Sequence, residues 1–197
     1  MAKRLFDIIF SFLGLILVLP LLLLLAVLIK RESPGPVFYR GIRIGKGGRL
    51  FRIFKFRSMV ENAEELGGPS TAGDDPRLTK IGKFLKKYQL DELPQLINVL
   101  KGEMSLVGPR PEIKMYVEMM TNEERNVILS IKPGMTDLAS LWNFHESEVL
   151  KGSPDPEKTY QEKIRPQKIK LQLEYVKNRS FLLDLKIIIK TVLKIFQ

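Results

Sequence analysis

A long apolar run near the N-terminus constrains this chain more than any other feature. From Leu5 to Ile29 it reads LFDIIFSFLGLILVLPLLLLLAVLI, 25 residues with Asp7 as the one charged side chain. As a straight helix it would be about 37 Å long, enough to cross a hydrocarbon core of about 30 Å. A cleaved signal peptide is disfavoured because KRESPGP, without a small-residue cleavage site, follows the run. The run therefore predicts a membrane segment.

The flanks of this run bear on whether it crosses the membrane. Basic pairs stand on both sides, Lys3 and Arg4 before the run and Lys30 and Arg31 after it. Both ends then favour the cytoplasm, and Pro20, beyond the middle, removes a helical hydrogen bond. We predict a re-entrant helix–break–helix over residues 1–32 with its break at Pro20. A spanning anchor stays open, because spanning helices also tolerate proline.

The single acid in the run needs a partner, because a carboxylate at bilayer depth is costly. Arg4 lies three residues before Asp7, on the same face of a helix. We therefore predict an Arg4–Asp7 pair at the level of the headgroups.

The charge and the residue types of the chain limit its chemistry. There are 32 Lys and Arg against 22 Asp and Glu, a formal net charge of +10. This excess favours anionic partners: phosphorylated small molecules, phospholipid headgroups or nucleic acid. The chain has no cysteine, which excludes disulfides, zinc–thiolate sites and cysteine nucleophiles, and His145 is its only histidine. A metal would therefore be held mainly by oxygen atoms, which suits Mg²⁺, Mn²⁺ or Ca²⁺.

Residues 33–197 are predicted to form one compact domain of class α+β, mostly helical with a small β-hairpin. Runs rich in aromatic and branched residues, 37–44 and 50–59, flank the turn GKGG and predict the hairpin. Helices are predicted over residues 61–66, 78–88, 91–100, 112–130 and 160–176, and an extended stretch over 132–144.

The last segment, SFLLDLKIIIKTVLKIF, has lysines at four-residue spacing, Lys186, Lys190 and Lys194, surrounded by apolar residues. This pattern is typical of a basic amphipathic helix that lies on an anionic membrane surface. A core helix with one solvated lysine stripe is the alternative.

Two adjacent acids, Asp91 and Glu92, stand in the motif LDELPQL. A structural role is available, since Asp91 could be a helix N-cap, acids are favoured in a first turn, and Pro94 is tolerated there. A chemical role is also available. Paired acids can hold Mg²⁺ for phosphoryl transfer, and an aspartate can be the nucleophile that forms a phosphoenzyme.

Basic residues elsewhere favour the chemical role. Lys55 and Arg57 project from one face of the second hairpin strand, and Arg110 lies in the rigid segment VGPRP. Cations around an acid pair are typical of phosphoryl transfer. The alternative for the strand is a basic edge that discourages aggregation.

The run from Asp75 to Pro111, DPRLTKIGKFLKKYQLDELPQLINVLKGEMSLVGPRP, resembles the signature of the bacterial sugar transferases, the monotopic phosphoglycosyl transferases. KRLFD near the start, KFRSM, KPGMT and YVKNRSFLLDLKI extend the resemblance over nearly the whole chain.

The resemblance implies an enzyme on the cytoplasmic face of the bacterial inner membrane, with Mg²⁺ as cofactor. Asp91 would take the sugar-bearing phosphate of a UDP-sugar and release UMP. A polyprenol phosphate, usually undecaprenyl phosphate, would then accept the phosphosugar in the first lipid-linked step of a surface glycan. Glu92 would help Asp91 to hold the metal, and the phosphates would meet Lys55, Arg57, Lys86 and Arg110. We expect a lipid, rather than a nucleic acid, to be the large anionic partner.

The sequence departs from the family pattern in two places. Lys86 and Gln89 stand where arginine and serine are common, and lysine loses the bidentate geometry of arginine. After KPGMT, the segment DLASLWNFHESEV differs from many members in a region that we expect to contact the sugar, which leaves the donor open. Trp142 either stacks on a ring of the substrate or packs, and His145 is expected to be a surface or packing residue rather than a catalytic one. A membrane-tethered scaffold that has lost activity is the alternative to the enzyme.

Overall fold

A computed structural model describes residues 2–195, so Met1, Phe196 and Gln197 of the predicted segments lie outside the described residues. The chain is 57% helical with small sheets, which confirms the predicted α+β class. The helices are α1 (Ala2–Glu32), α2 (Lys80–Lys87), α3 (Gln95–Lys101), α4 (Lys114–Glu118), α5 (Asn122–Ile128), α6 (Leu138–Trp142), α7 (Glu146–Val149), α8 (Pro156–Thr159), α9 (Arg165–Asn178) and α10 (Phe181–Ile195). The strands are β1 (Phe38–Tyr39), β2 (Ile42–Ile44), β3 (Leu50–Arg52), β4 (Lys55–Phe56), β5 (Ser105–Val107) and β6 (Gly134–Thr136).

These strands form three two-stranded sheets. β2 pairs with β3 and β1 pairs with β4, both antiparallel, so the predicted hairpin is confirmed. A 3₁₀ turn over Lys46–Gly48 closes it, and Gly47 and Gly48 have φ angles of 65° and 78°, which glycine adopts without steric cost. β5 and β6 pair in parallel, an arrangement that was not predicted.

Three predicted elements are wrong. Residues 61–66 form turns rather than a helix. The helix predicted over 112–130 is divided into α4 and α5, because Thr121 forms a capping box with Glu124 and starts a new helix. Only Gly134–Thr136 of the stretch 132–144 is a strand, since Asp137 accepts a hydrogen bond from the Ser140 backbone N–H and begins α6.

The N-terminal helix α1 is continuous from Ala2 to Glu32 with Pro20 inside it, so the helical backbone is not interrupted at the predicted break. Among residues 2–195 it is the one helix that length and composition would allow to cross a membrane. Re-entrant insertion stays a prediction.

One face of α1 packs on the rest of the chain near both of its ends. Asp7 and Ser11 are buried near its start, and Leu25 and Ile29 near its end. The latter two join a core cluster with Phe56 of β4 and Leu85 of α2. The opposite face exposes large apolar side chains to solvent: Leu5, Ile8, Ile9, Phe10, Phe12, Leu13, Ile16, Leu17, Leu19, Leu21, Leu23, Leu24 and Val27. The helix therefore has a face on the domain and an apolar face without protein cover.

The charged groups of α1 bind the domain rather than each other, so the predicted Arg4–Asp7 pair is wrong. Arg4 donates to the Val99 carbonyl at 2.6 Å. The Asp7 carboxylate accepts hydrogen bonds from the Ser105 hydroxyl and the Leu106 backbone N–H, both at 3.1 Å. A buried acid is tolerated here because β5 supplies both donors.

The C-terminal helix α10 also has two faces. Asp184 and Ile187 are buried, and the Tyr175 hydroxyl donates to Asp184 at 2.6 Å. The outward face carries apolar and basic residues together: Phe181, Leu182, Lys186, Ile189, Lys190, Val192 and Leu193. Lys194 instead turns inward and donates to the Leu141 carbonyl at 2.6 Å. An interfacial position for α10 stays a prediction, now with two outward lysines.

Candidate active site

The two acids lie in a tight turn between α2 and α3. Leu90–Glu92 forms one turn of 3₁₀ helix, and Pro94 leads into α3. Asp91 makes no capping hydrogen bond, so its predicted role as an N-cap is wrong. The predicted end of the helix is right, because Gly102 closes α3 in the left-handed conformation with φ 83°.

The residue before the turn is strained. Gln89 has a φ of 53°, a conformation that costs a residue with a side chain on the order of 1 kcal/mol or more. Its side-chain amide donates to the Phe144 carbonyl at 2.5 Å, which ties the turn to the segment after α6. The strain and the contact together fix the direction in which the following acids point.

Glu92 is held by two cations through one of its oxygen atoms. Oε1 accepts from Lys55 Nζ at 2.8 Å and from Arg110. Burial alone would raise the pKa of Glu92, but Arg110 and Lys55 outweigh it and hold the pKa well below its usual value. Burial lowers the pKa of Lys55, although Glu92 opposes this shift. No hydrogen bond to Oε2 is present among the described residues.

Arg110 is fixed from two sides. It donates to the Met135 carbonyl of β6 at 3.1 Å as well as to Glu92. Burial would lower the pKa of Arg110, but Glu92 raises it above its ordinary value, so the guanidinium stays charged. The unpredicted parallel pair of β5 and β6 thus supplies a support for a predicted site residue.

Asp91 differs from its neighbour. Only 2% of the residue is exposed, and Lys86 Nζ lies 3.6 Å from its Oδ2. No hydrogen bond to the Asp91 carboxylate exists within residues 2–195, and neither oxygen is fully shielded from solvent. The carboxylate is therefore free to bind a metal or attack a substrate, beside a cation that would attract a phosphate.

The structure brings Lys55, Lys86 and Arg110 to the acids but does not bring Arg57. The Arg57 side chain, 8% exposed, donates to the Ser33 carbonyl and hydroxyl, both at 2.9 Å, and to the Pro34 carbonyl. These contacts bind the linker that follows α1. Arg57 therefore has a structural partner in place of the predicted substrate contact.

Asn98 is the residue that sequence reasoning missed. Its side chain accepts from the Phe54 backbone N–H at 2.8 Å and donates to the Arg52 carbonyl at 2.9 Å. These bonds attach the segment before Lys55 to α3, which begins three residues after Glu92. The available signal was an asparagine inside a helix, at a position where this residue type is disfavoured unless its amide has partners.

The donor set fits Mg²⁺. Among the described residues, no group of three or more His, Cys, Asp and Glu side chains is placed so that it could hold a metal ion. Two adjacent carboxylates remain, and Mg²⁺ is typically held by one or two carboxylates together with substrate phosphates and water. The Asp91 carboxylate and Oε2 of Glu92 are the oxygen atoms available for it.

Trp142 and His145 lie beyond the acids, in the segment that departs from the family pattern. Trp142 is 46% exposed. His145 is exposed at the start of α7, as expected, with its ring edge-on to Phe144 at 5.1 Å between centroids. Neither contacts Asp91 or Glu92 through a hydrogen bond.

Three cations around two acids leave a net positive charge, which suits a substrate with several phosphate oxygen atoms. The fold and the site thus combine a positively charged cluster around two acids with a long apolar helix. The chain belongs to the bacterial sugar transferase family, whose model matches residues 1–197.

Curated relatives share this chain's sequence over almost its whole length. A UDP-N-acetylgalactosamine-undecaprenyl-phosphate N-acetylgalactosaminephosphotransferase from Aeromonas hydrophila is 40% identical over 96% of this chain and 42% of its own. A UDP-glucose:undecaprenyl-phosphate glucose-1-phosphate transferase from Klebsiella pneumoniae is 41% identical over 98% of this chain and 40% of its own. The exopolysaccharide production protein PSS of Rhizobium leguminosarum bv. phaseoli is 38% identical, over 96% of this chain and 92% of its own. The chain therefore spans about 40% of the first two relatives and nearly all of the third.

Proposed function

We propose that this protein transfers a sugar 1-phosphate from a UDP-sugar to a polyprenol phosphate, with undecaprenyl phosphate as the acceptor. The observation that carries the proposal is the contrast within the acid turn. Glu92 is fixed by Lys55 and Arg110, whereas the buried carboxylate of Asp91 lies 3.6 Å from Lys86 and accepts no hydrogen bond from any of the residues 2–195. The names of the relatives from Aeromonas and Klebsiella support the donor and acceptor classes.

The reaction has two steps. In the first, an oxygen of Asp91 attacks the phosphorus that bears the sugar, and the bond to the other phosphate of UDP breaks with its electron pair on UMP. This leaves the sugar phosphate bound to Asp91 as an acyl phosphate, the mixed anhydride of a carboxylic acid and a phosphoric acid. In the second, a phosphate oxygen of the acceptor attacks the same phosphorus, the bond to Asp91 breaks, and the carboxylate returns. The product is a polyprenyl diphosphate sugar.

The surrounding residues supply charge rather than protons. Lys86 is close enough to Asp91 to bind a phosphate that Asp91 attacks, and Lys55 and Arg110 stay beside Glu92 at the same site. Fixed cations stabilise the charge that develops on the transferred phosphate. Bound Mg²⁺ would supply additional positive charge at the phosphates, and Asp91 and Glu92 are the residues that would hold it.

We also infer that the domain works at the cytoplasmic face of the bacterial inner membrane, with α1 inserted from one side only. Both ends of α1 contact the same domain: Arg4 and Asp7 near the start, and Leu25 and Ile29 near the end. A helix whose ends lay on opposite sides of a bilayer could not do this with a domain that stays on one side. The uncovered apolar face of α1 is then the surface that enters the lipid. A glycan built on this lipid would belong to the cell surface.

The decisive experiment measures UMP released by the purified protein from a panel of UDP-sugars, with Mg²⁺ and undecaprenyl phosphate. The panel includes UDP-glucose and UDP-N-acetylgalactosamine, which appear in the names of relatives. We expect one donor to release UMP and chelation of Mg²⁺ to stop the release. No UMP from any donor would support the inactive scaffold instead.

A second measurement tests the covalent step. With donor and Mg²⁺ but no acceptor, intact mass should increase by one sugar phosphate, and peptide mapping should locate it on the peptide that contains Asp91. UMP release without this adduct, and only when acceptor is present, would indicate direct transfer.

A further inference from the structure

An open groove lies between α6, α9 and α10, away from the acid turn. Its volume of about 530 Å³ falls in the range typical of small-molecule sites. The lining is mainly apolar, with three charged side chains, and consists of Leu138, Leu141, Trp142, Leu171, Leu193, Glu174, Lys190 and Lys194. Two lysines against one glutamate leave this apolar groove with a net positive charge, which suits an amphiphile that has an anionic head.

The groove is connected to the acid turn by a short series of contacts. Lys194 donates to the Leu141 carbonyl at 2.6 Å and lies 5.8 Å from the centre of the Phe144 ring. The Phe144 carbonyl in turn accepts from Gln89, two residues before Asp91. A molecule in the groove therefore lies beside the segment that fixes the direction of the acid turn.

The groove also adjoins the apolar surface of the protein. Leu193 on its wall and Val192 beside it are exposed on α10. At the other end of α10, the Phe181 ring packs edge-on against Phe6 of α1, with 5.1 Å between centroids. The outward faces of α1 and α10 thus meet, so a lipid chain could pass from this apolar surface into the groove without crossing water.

We propose that this groove binds the isoprene units nearest the phosphate of the polyprenol acceptor, and so directs that phosphate toward Asp91. The inference rests on the proposed function, which requires an acceptor with an apolar chain and an anionic end. The groove offers both kinds of contact within one site. An ordinary phospholipid is the competing occupant, which the experiments below distinguish.

Trp142 allows binding to be measured directly, because it is the only tryptophan in the chain and lines the groove. The full-length protein in detergent micelles is titrated with undecaprenyl phosphate, farnesyl phosphate or phosphatidylglycerol, without any UDP-sugar. We expect both prenyl phosphates to shift the Trp142 emission to shorter wavelength in a saturable way, and phosphatidylglycerol to have no such effect. An equal shift with phosphatidylglycerol, or none with the prenyl phosphates, would overturn the proposal.

Two matched variants of α10 test the same site in turnover. Leu193→Ala removes apolar contact inside the groove, and Leu182→Ala makes the same change on the same helix outside it. Leu193 and Leu182 are 57% and 76% exposed, so neither change should affect folding. We expect Leu193→Ala to raise KM for both prenyl phosphates roughly three- to tenfold, with KM for the UDP-sugar unchanged, and Leu182→Ala to change neither.

Equal effects of the two variants would show general attachment to the membrane and reject the groove. The binding titration needs no transfer, and formation of the adduct on Asp91 needs no acceptor. Failure of the groove proposal would therefore leave the adduct intact, whereas failure of the proposed function would remove the adduct without changing the fluorescence result.

Discussion

Two charged clusters stand near each other in sequence but differ in what their contacts leave free. In the acid turn, Lys55, Lys86 and Arg110 face two carboxylates, and Oδ1 of Asp91 and Oε2 of Glu92 have no partner among the described residues. In the second cluster, which we call the linker joint (Lys30, Glu32, Ser33, Pro34, Gly35 and Arg57), the charged groups bind backbone atoms. Arg57 meets two carbonyls, and Glu32 accepts from the backbone N–H groups of Lys80 and Ile81 at 2.7 and 3.0 Å.

This difference distinguishes charged groups that are available to a ligand from charged groups that stabilise the fold. A charged group whose contacts are fulfilled by carbonyls and amides stabilises one conformation and has little capacity left for a ligand. A carboxylate that is buried without a hydrogen bond is costly in the free protein and favours a bound metal cation, and the lysine beside it attracts a phosphate. The two clusters therefore predict opposite consequences when a cation or an acid is removed.

The largest effect is expected at Asp91, the proposed nucleophile. Asp91→Asn should reduce UMP release at least about a thousandfold, because the amide cannot form the covalent intermediate. The unfolding transition should stay near that of the wild type, since Asp91 makes no hydrogen bond within the described chain. Initial rates and thermal unfolding of the same sample check both points. A variant that keeps a tenth of the activity would refute the role of Asp91.

Lys55→Met is the next most severe change. It removes one of the two cations on Glu92 while Arg110 stays in place, so the protein should fold. Loss of one fixed charge at a phosphate site typically lowers turnover on the order of a hundredfold. Turnover per folded molecule, with the folded fraction taken from size-exclusion chromatography, is the measurement. An unchanged kcat and KM would place Lys55 outside the reaction.

Arg57→Met makes the matched change two residues later. It removes hydrogen bonds from a charged donor to the linker, which should lower the free energy of unfolding by about 2 kcal/mol. Turnover of the folded molecules should stay within about twofold of the wild type. Chemical unfolding in mild detergent, compared with Lys55→Met, gives the result. A large loss of kcat with normal stability would contradict this structural role and support the predicted contact between Arg57 and the substrate.

The smallest effect concerns pH. Because the pKa of Glu92 is held below its unfolded value of about 4.3, the ionised form stabilises the fold above that pH. This contribution is lost as pH falls from there through the lower pKa of the folded state. Glu92→Gln should therefore lose less stability than the wild type between pH 7 and pH 3. For Arg57→Met the difference from the wild type should be the same at both pH values, because carbonyl and hydroxyl partners do not titrate.

The sequence was sufficient where a pattern is local. The apolar run, the hairpin around GKGG and the stop at Gly102 follow from periodicity and from glycine geometry, and all three are present. Alternation along a strand also predicts that Lys55 and Arg57 project from the same face, but it does not predict which segment of the chain each side chain contacts. The linker after α1 contacts Arg57, whereas Glu92 of the acid turn contacts Lys55.

The residues of the candidate site could be proposed from the sequence, but the contacts that hold them in place could not. Asp91, Glu92, Lys55, Lys86 and Arg110 were found by residue type and resemblance. Their supports come from long-range contacts that leave little trace in the sequence: the Asn98 amide, the Met135 carbonyl on a three-residue parallel strand, and the Phe144 carbonyl. Short strands carry too few residues to show a period.

Glu32 connects the N-terminal helix α1 to the helix that leads to the acid turn. It is the last residue of α1, and its carboxylate binds the free amides at the start of α2, whose last turn carries Lys86 beside Asp91. An eight-residue helix about 12 Å long therefore joins the end of α1 to the turn that contains Asp91. A soluble fragment that began after Glu32 would lack more than its anchor. It would lose the group that completes the first turn of α2, and with it the support for one of the cations of the site.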